Sequence, residues 1–380
     1  MANFNGQLRT NEIFGAIWNM IISQEVFADN IKGTFAELVD RARVDGSLYG
    51  DQKLYYATDA LKSSPWGNDA EAENLLKLHR PSAPKVQSIV LDTFRKIAVT
   101  VDDYLSKRAW GDEYAFGQFN SVILGWIRET KRIYDATLYN TFIGTTETNK
   151  GKQEVEITLP TVAGNEEAEN RLQAQTIAQT MANIIVGLKD VSRDYNDYGF
   201  LRSYNEDDFM YVWNADYVNK ITKLDLPTIF HKDMIDKFAE YTLPARYFGK
   251  VLDKTTTTAD GLTIRSLYET DVTVAKEFTD KTGTTYKVGG TYHVFAGDII
   301  PEATVIANAS GIIVPAYQED STIIFKIVHK RSAPYMSAFE VGTSFYNPLS
   351  LTTNQYLIFG HNTLEYLYNY PFITVRAKTE

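Results

Sequence analysis

Apolar residues return every three to four positions from Asp112 to Ile143, at Phe116, Phe119, Ile123, Ile127, Tyr134, Leu138 and Phe142. That spacing predicts a long amphipathic helix, and Asp112 and Glu113 suit the positive end of its dipole. Roughly 32 residues at 1.5 Å each make a rod about 48 Å long. Asn165, followed by Glu166, Glu167 and Glu169, predicts the capped start of a second helix. Ala168, Leu172, Ile177, Met181, Ile184 and Leu188 are its expected buried stripe. Near the start, Phe14, Ile17, Trp18, Ile21 and Ile22 also keep helical spacing, with another short helix expected around Phe35 to Arg43. No core-sized sequence adjoins these two, so 1–44 reads as an arm that packs on something else.

Other stretches follow the period of two or run apolar without a break. Lys53 to Ala57 reads as a tyrosine-bearing strand, and Val86 to Tyr104 as a long β-branched one. The polar turn Ser63-Ser64-Pro65-Trp66-Gly67-Asn68-Asp69 lies between them. Together they predict an extended hairpin over 45–110, whose arms of about 15 residues reach roughly 50 Å. Such a hairpin is too long to cover both faces from its own chain, which implies a partner subunit. Tyr49, Leu54, Tyr55, Trp66, Ile97 and Val99, with Trp18 of the arm, are the expected subunit contacts.

Asp208 to Trp213 is an apolar strand that stops at Asn214 and turns into a helix, Asp216 to Ile221. A further helix over about Thr228 to Phe238 precedes Tyr247-Phe248-Gly249-Lys250-Val251. From Thr255 to about Val314 the chain reads as β-rich and punctuated by glycine. Ile323 to Val328, and then Gln355 to Val375, read as closing strands.

Composition narrows the chemistry. The 380 residues include no cysteine, which excludes disulfides, thiolate metal sites and cysteine nucleophiles. Lys and Arg total 38 against 48 Asp and Glu, a formal charge of −10. An acidic chain is a poor general ligand for phosphate backbones. No stretch approaches the roughly 20 apolar residues of a membrane span. Ile13 to Ile22 contains Asn19 and has no basic leader, so it is not read as a signal peptide and no membrane is expected. There is no phosphate-binding Gly-rich loop, nucleophile elbow or zinc-protease motif. His231 with Asp233 and Asp236 falls on different helix faces, and Glu206-Asp207-Asp208 reads as a polar turn. No catalytic residue, metal or cofactor is therefore expected. The excess lies in aromatics, 24 Tyr, 20 Phe and 5 Trp, which serve best in cores and interfaces.

The order of elements resembles the major capsid proteins of tailed bacteriophages with the Hong Kong 97 fold. The strand Phe209-Met210-Tyr211-Val212-Trp213 ending in Asn214 and entering a helix is similar to a unit of that family's axial domain, as is Gly249-Lys250-Val251. Val191-Ser192-Arg193-Asp194-Tyr195-Asn196 and the tail Leu364-Glu365-Tyr366-Leu367-Tyr368-Asn369-Tyr370 resemble short-tailed podoviruses of the phi-twenty-nine type.

The resemblance implies an α+β capsid fold with an N-terminal arm (1–44), an extended loop (45–110) and a spine helix with a peripheral strand (111–160). An axial domain (161–320, β-rich from 253) and peripheral return strands (321–380) complete it. It also implies self-assembly into pentamers and hexamers of an icosahedral virion shell, formed in the bacterial cytoplasm. A separate scaffolding protein, a portal and packaged double-stranded DNA, bound without sequence specificity, are the implied partners. Part of this fold family forms Lys–Asn cross-links. Lys53 and Lys62 lie in the hairpin, but ordinary subunit masses are expected. Two other readings stay open: an acidic, aromatic-rich glycan hydrolase or binding protein, and another phage structural protein such as a portal or tail component.

Overall fold

A computed structural model describes residues 35, 52–63, 78, 80–102, 113–148, 151–222, 241–252, 263–306, 314–335, 337–362 and 364–378. The arm apart from Phe35, the turn at Trp66, Tyr49 and the helix expected at 228–238 lie outside the described residues. Their order begins with strands β1 (Gln52–Ala57) and β2 (Lys85–Asp102), helix α1 (Glu113–Thr145), β3 (Glu154–Ile157) and helix α2 (Glu166–Lys189). Next come β4 (Phe209–Asn214), helix α3 (Ala215–Thr222), β5 (Tyr241–Leu243), β6 (Gly249–Val251), β7 (Ile264–Ser266) and β8 (Thr270–Val274). Then follow β9 (Phe278–Thr279), β10 (Thr285–Tyr286), β11 (Thr291–Val294), β12 (Thr304–Val305) and β13 (Ala316–Glu319). β14 (Ile323–His329), β15 (Ser337–Asn347), β16 (Thr352–Asn362) and β17 (Phe372–Ala377) close the chain.

The centre is a five-stranded sheet in the order β3-β17-β14-β4-β5. β4 and β14 are covered on both faces, which is why they read as near-continuous apolar runs. Phe209, Tyr211 and Trp213 point to α2 with Ile177, Met181 and Leu188, whereas Met210 and Val212 point to α1 with Leu138 and Phe142. The sheet takes β3, β14 and β17 from the segments expected in the peripheral region and β4 and β5 from the axial one. One hydrogen-bonded layer therefore joins them.

α2 starts as its cap residue dictates: Asn165 Oδ1 accepts from the Ala168 N–H at 3.1 Å. Its buried face differs from the expected stripe in one respect. Leu172 is exposed, and Ala174, Ala178 and Ile185 are buried in its place. Leu172 stands five residues before Ile177, about 140° around the helix, so it cannot share that face. Asn214 explains the abrupt end of β4. Its Oδ1 accepts from the Asp216 N–H at the start of α3, and its Nδ2 donates to the Ile323 carbonyl of β14.

A four-stranded sheet in the order β1-β2-β16-β15 covers α1 from the other side. Among the described residues Gln52–Ala57 pairs with Lys85–Val90 as in the expected hairpin, and from Leu91 to Asp102 the return strand pairs on its other side with β16. β15 was not read from the sequence at all. Three small sheets, β6-β13-β7, β11-β8-β12 and β9-β10, make up the β-rich segment, with Ile264, Val272, Val294 and Ile300 at its core.

Enclosed between two sheets, α1 is buried all round from Leu138 to Thr145. Thr141 and Thr145 satisfy their hydroxyls on the carbonyls four residues back, each at 2.8 Å. At Gly144 the Tyr247 backbone comes so close that a Cβ would stand 2.1 Å from its carbonyl oxygen. Beyond the helix, fully buried Lys326 of β14 donates from Nζ to the Thr146 carbonyl at 2.7 Å and lies 5.6 Å from the Phe372 ring centroid. Charged groups surround it: Arg376 of β17 pairs with Glu147 at 2.9 Å, and with Glu154 and Asp320 at 3.6 Å each. Burial nevertheless pushes the Lys326 amine down to about 7.

Two outcomes follow. Gly144→Ala should destabilise the subunit by about 1–3 kcal/mol in urea unfolding, because a backbone must move. Gly125→Ala, on the same helix with nothing within 4 Å of its Cβ, should instead gain up to about 1 kcal/mol. Above pH 7 the unfolded chain holds a proton on Lys326 that the folded chain lacks, so stability should rise with pH between about 7.5 and 9.5, by up to about tenfold in the folding constant per unit. Lys326→Met should flatten that slope.

Candidate assembly surface

Polar anchors fix the four-stranded sheet to the body. Arg95 of β2 lies over the rings of Tyr134 and Tyr268, 5.8 Å from each centroid, and donates to the Glu269 carbonyl. His361 of β16 donates from Nδ1 to the Asn362 carbonyl at 2.9 Å, which leaves Nε2 to accept the Tyr134 hydroxyl at 2.8 Å. Burial pushes the His361 imidazole down and the Tyr134 phenol up, so both remain neutral and the bond keeps its direction. Lys131 adds an ion pair with Asp135 and a cation–π contact with Phe359. α1, the sheet and the β-rich segment are thus joined at one place.

A second clamp holds the other end. After β1, Asp59 accepts from Arg193 at 2.8 Å and from the Leu201 N–H at 3.0 Å, and Arg202 donates to the Thr58 carbonyl. The Arg193 hydrogen bond, first, then that of Leu201, holds the Asp59 carboxyl down at about 2. The loop is shaped by Asn196, whose side chain both donates to the Phe200 carbonyl and accepts its N–H, each at 2.8 Å. Gln87 of β2 bridges to the Tyr366 carbonyl and the Tyr368 N–H, and Leu367 packs on Ile89 and Leu91. Tyr366 in turn donates to Asp197. The two runs singled out in the sequence, 191–196 and 364–370, are therefore the seats of this sheet.

His329 closes the seat. Its ring stacks on Tyr370 at 4.5 Å and meets Phe209 and Tyr204 edge-on, while Nδ1 accepts the Arg331 N–H. Burial pushes its imidazole down to about 4.

What the anchors leave outside is apolar at both ends of the sheet. On β1 and the start of β2, Leu54, Tyr56 and Val86 are exposed among the exposed cations Lys53, Lys62, Arg80 and Lys85. At the β15–β16 turn, Phe345 is 63% exposed, Tyr346 56% and Leu349 96%, and Leu351 has a φ of +52°. A positive φ on leucine is uncommon and marks a tightly held turn.

Of the expected contact residues, Leu54 and Tyr55 lie side by side on β1. Leu54 is exposed and Tyr55 is half-buried against Ile89 and Leu91. Ile97 and Val99 are partly buried and pack on this chain's own core, where β16 joins β2. Trp18, Tyr49 and Trp66 lie outside the described residues. The turn at Phe345–Leu351 was missed, although apolar residues on both sides of Asn347-Pro348 marked it. Among the described residues no group of His, Asp and Glu has the arrangement of a metal site.

No curated protein matches this sequence. The profile of the Phi29-like phage major capsid protein family matches residues 3–374, nearly the whole chain. The chain belongs to that family.

The structure agrees. The capsid structure of Staphylococcus phage Andhra is similar at a TM-score of 0.56 and 10% identity, covering 89% of this chain and 83% of that one. A structure of the head fiber and inner core protein gp22 of native bacteriophage P68 is similar at 0.55 and 10%, with the same coverage. At such identity the likeness is one of fold, and it is the capsid fold expected from the order of elements. A Phi29-like major capsid protein is a structural shell protein, which favours the capsid reading over the glycan-protein and portal readings.

One measurement tests the seat of the sheet in this capsid protein. An imidazole held neutral by burial binds its proton more readily in the unfolded chain, so stability is lost as pH falls from about 6.5 towards 4. The drop in the urea midpoint between pH 7 and pH 5 should be smaller for His329→Phe than for the wild type.

Proposed function

We propose that copies of this chain assemble as pentamers and hexamers into a closed icosahedral shell around packaged double-stranded DNA. A separate scaffolding protein and a portal act as partners in the bacterial cytoplasm. The observation that carries this reading is the exposed apolar surface at both ends of a sheet that is otherwise anchored without slack. A monomer gains nothing from leaving Leu349 and Phe345 in water, and a contact between copies removes them. The β1 end supplies contact of a different kind, because Leu54 and Tyr56 sit among cations on a chain whose net charge is −10. Neighbouring copies are acidic overall, so this basic patch favours their approach. Many modest contacts per subunit add through multivalency, and each stays weak enough to be corrected during growth. The net acidity also fits a wall that does not itself condense DNA.

Co-expression with the scaffolding protein should give closed shells by negative-stain microscopy, and a wild-type chain that stays monomeric would sink the reading. Leu349→Lys with Phe345→Lys should lower shell yield strongly, while the subunit's unfolding free energy in urea changes by no more than about 0.5 kcal/mol, as for ordinary surface changes.

A further inference from the structure

Among the described residues the last strand of the four-stranded sheet has one partner. β15 pairs with β16 on its inner side, from Val341↔Ile358 to Asn347↔Thr352. Among the described residues no strand pairs with its outer side. Proteins usually blunt such an edge with lysine, proline or an inward charge, since its free N–H and C=O groups are a template for another strand. From Val341 to Asn347 the chain has no charged residue and no proline. β1, at the opposite end, carries Lys53 next to its first residue.

The open stretch is also bounded. On one side the register shifts between Ala338 and Val341. On the other stands Pro348, which has no N–H to offer. Seven residues remain, Val341-Gly342-Thr343-Ser344-Phe345-Tyr346-Asn347, with Ser344 at their centre.

Resting on the shell reading above, we infer that this edge pairs antiparallel with the same edge of a second copy, across a two-fold axis through Ser344. In that register Thr343 of one copy faces Phe345 of the other, a β-branched and aromatic pair of the kind that stabilises sheets. Tyr346 faces Gly342, so an exposed ring covers backbone that has no side chain of its own. Val341 faces Asn347, and no like charges meet. Phe345 and Tyr346 project to opposite faces of the sheet, so pairing removes exposed aromatic surface from both. The contact is isologous and closes at two copies, whereas a head-to-tail use of the same edge would propagate as a fibre. Two four-stranded sheets become one continuous sheet across the boundary between subunits.

The absence of cysteine from the chain makes the test clean. Shells of Ser344→Cys would be oxidised mildly and run on a non-reducing gel. Directly opposed residues have Cβ atoms about 4.5–5.5 Å apart, close enough for a disulfide after slight adjustment, so a reducible dimer should be the main band. Thr343→Cys and Phe345→Cys chains should cross-link with each other when co-assembled. Each alone should stay largely monomeric, since like positions are then diagonal and about 7–8 Å apart. This second pair decides the matter if Ser344→Cys does not assemble. Shells that form yet give neither the Ser344→Cys dimer nor the mixed dimer would overturn the pairing and leave the shell reading standing. A wild-type chain that forms no shells with its scaffold would overturn the shell reading instead.

Discussion

The burial of α1's last two turns on every side is the constraint on which the other parts depend. Leu138 to Thr145 have no face left for water, so every neighbour of this short stretch is held to a narrow position. Tyr247 comes within reach of a missing Cβ at Gly144, and the Lys326 amine spans from β14 to the carbonyl just beyond the helix. Around that amine, Arg376 gathers Glu147, Glu154 and Asp320 from three separate segments. A half-buried charge network of this sort is weak evidence for stability, but it tolerates few alternative registers of the strands that carry it.

From that fixed point the four-stranded sheet extends outward, and the assembly surface is its free part. Arg95, Tyr134 and His361 hold its middle, and the Asp59 and Gln87 clamps hold its β1 end. The polar bonds settle direction, while the aromatic and aliphatic contacts supply most of the stabilisation. What lies beyond these anchors, the β15 edge and the turn at Leu349, is displayed rather than packed. A rigid support with apolar ends suits a shell subunit, whose copies must meet at reproducible angles.

Much of this was legible in the residues. The period of α1, the Asn165 cap and the passage from β4 through Asn214 into α3 depend on near neighbours in the chain, and all three appear as expected. β4 and β14 were legible as apolar strands, and their unbroken runs fit their central place, because a strand covered on both faces loses its alternation. The tyrosine-rich tail was recognisable as interface material, but its first use is internal, as the seat of β2. Lys326 drew no notice, since a single lysine within Ile323–His329 looks like a strand end until the helix above it is known. Leu172 shows the reverse error: an apolar residue was assigned to a face that only packing could choose.

The sequence by itself determined the local elements, the capsid family and the lack of any cysteine chemistry, because these reside in short-range spacing and composition. Only the tertiary structure decided which strands meet. Pairing of β2 with β16 joins residues roughly 250 positions apart, and no periodicity within either strand encodes its partner. That pairing makes β2 a middle strand of the sheet and packs Ile97 and Val99, partly buried, on their own core. The same 18 residues of β2 are compatible with a middle or an edge place. The choice was made by the hydrogen bonds and apolar area that β16 and α1 supply together.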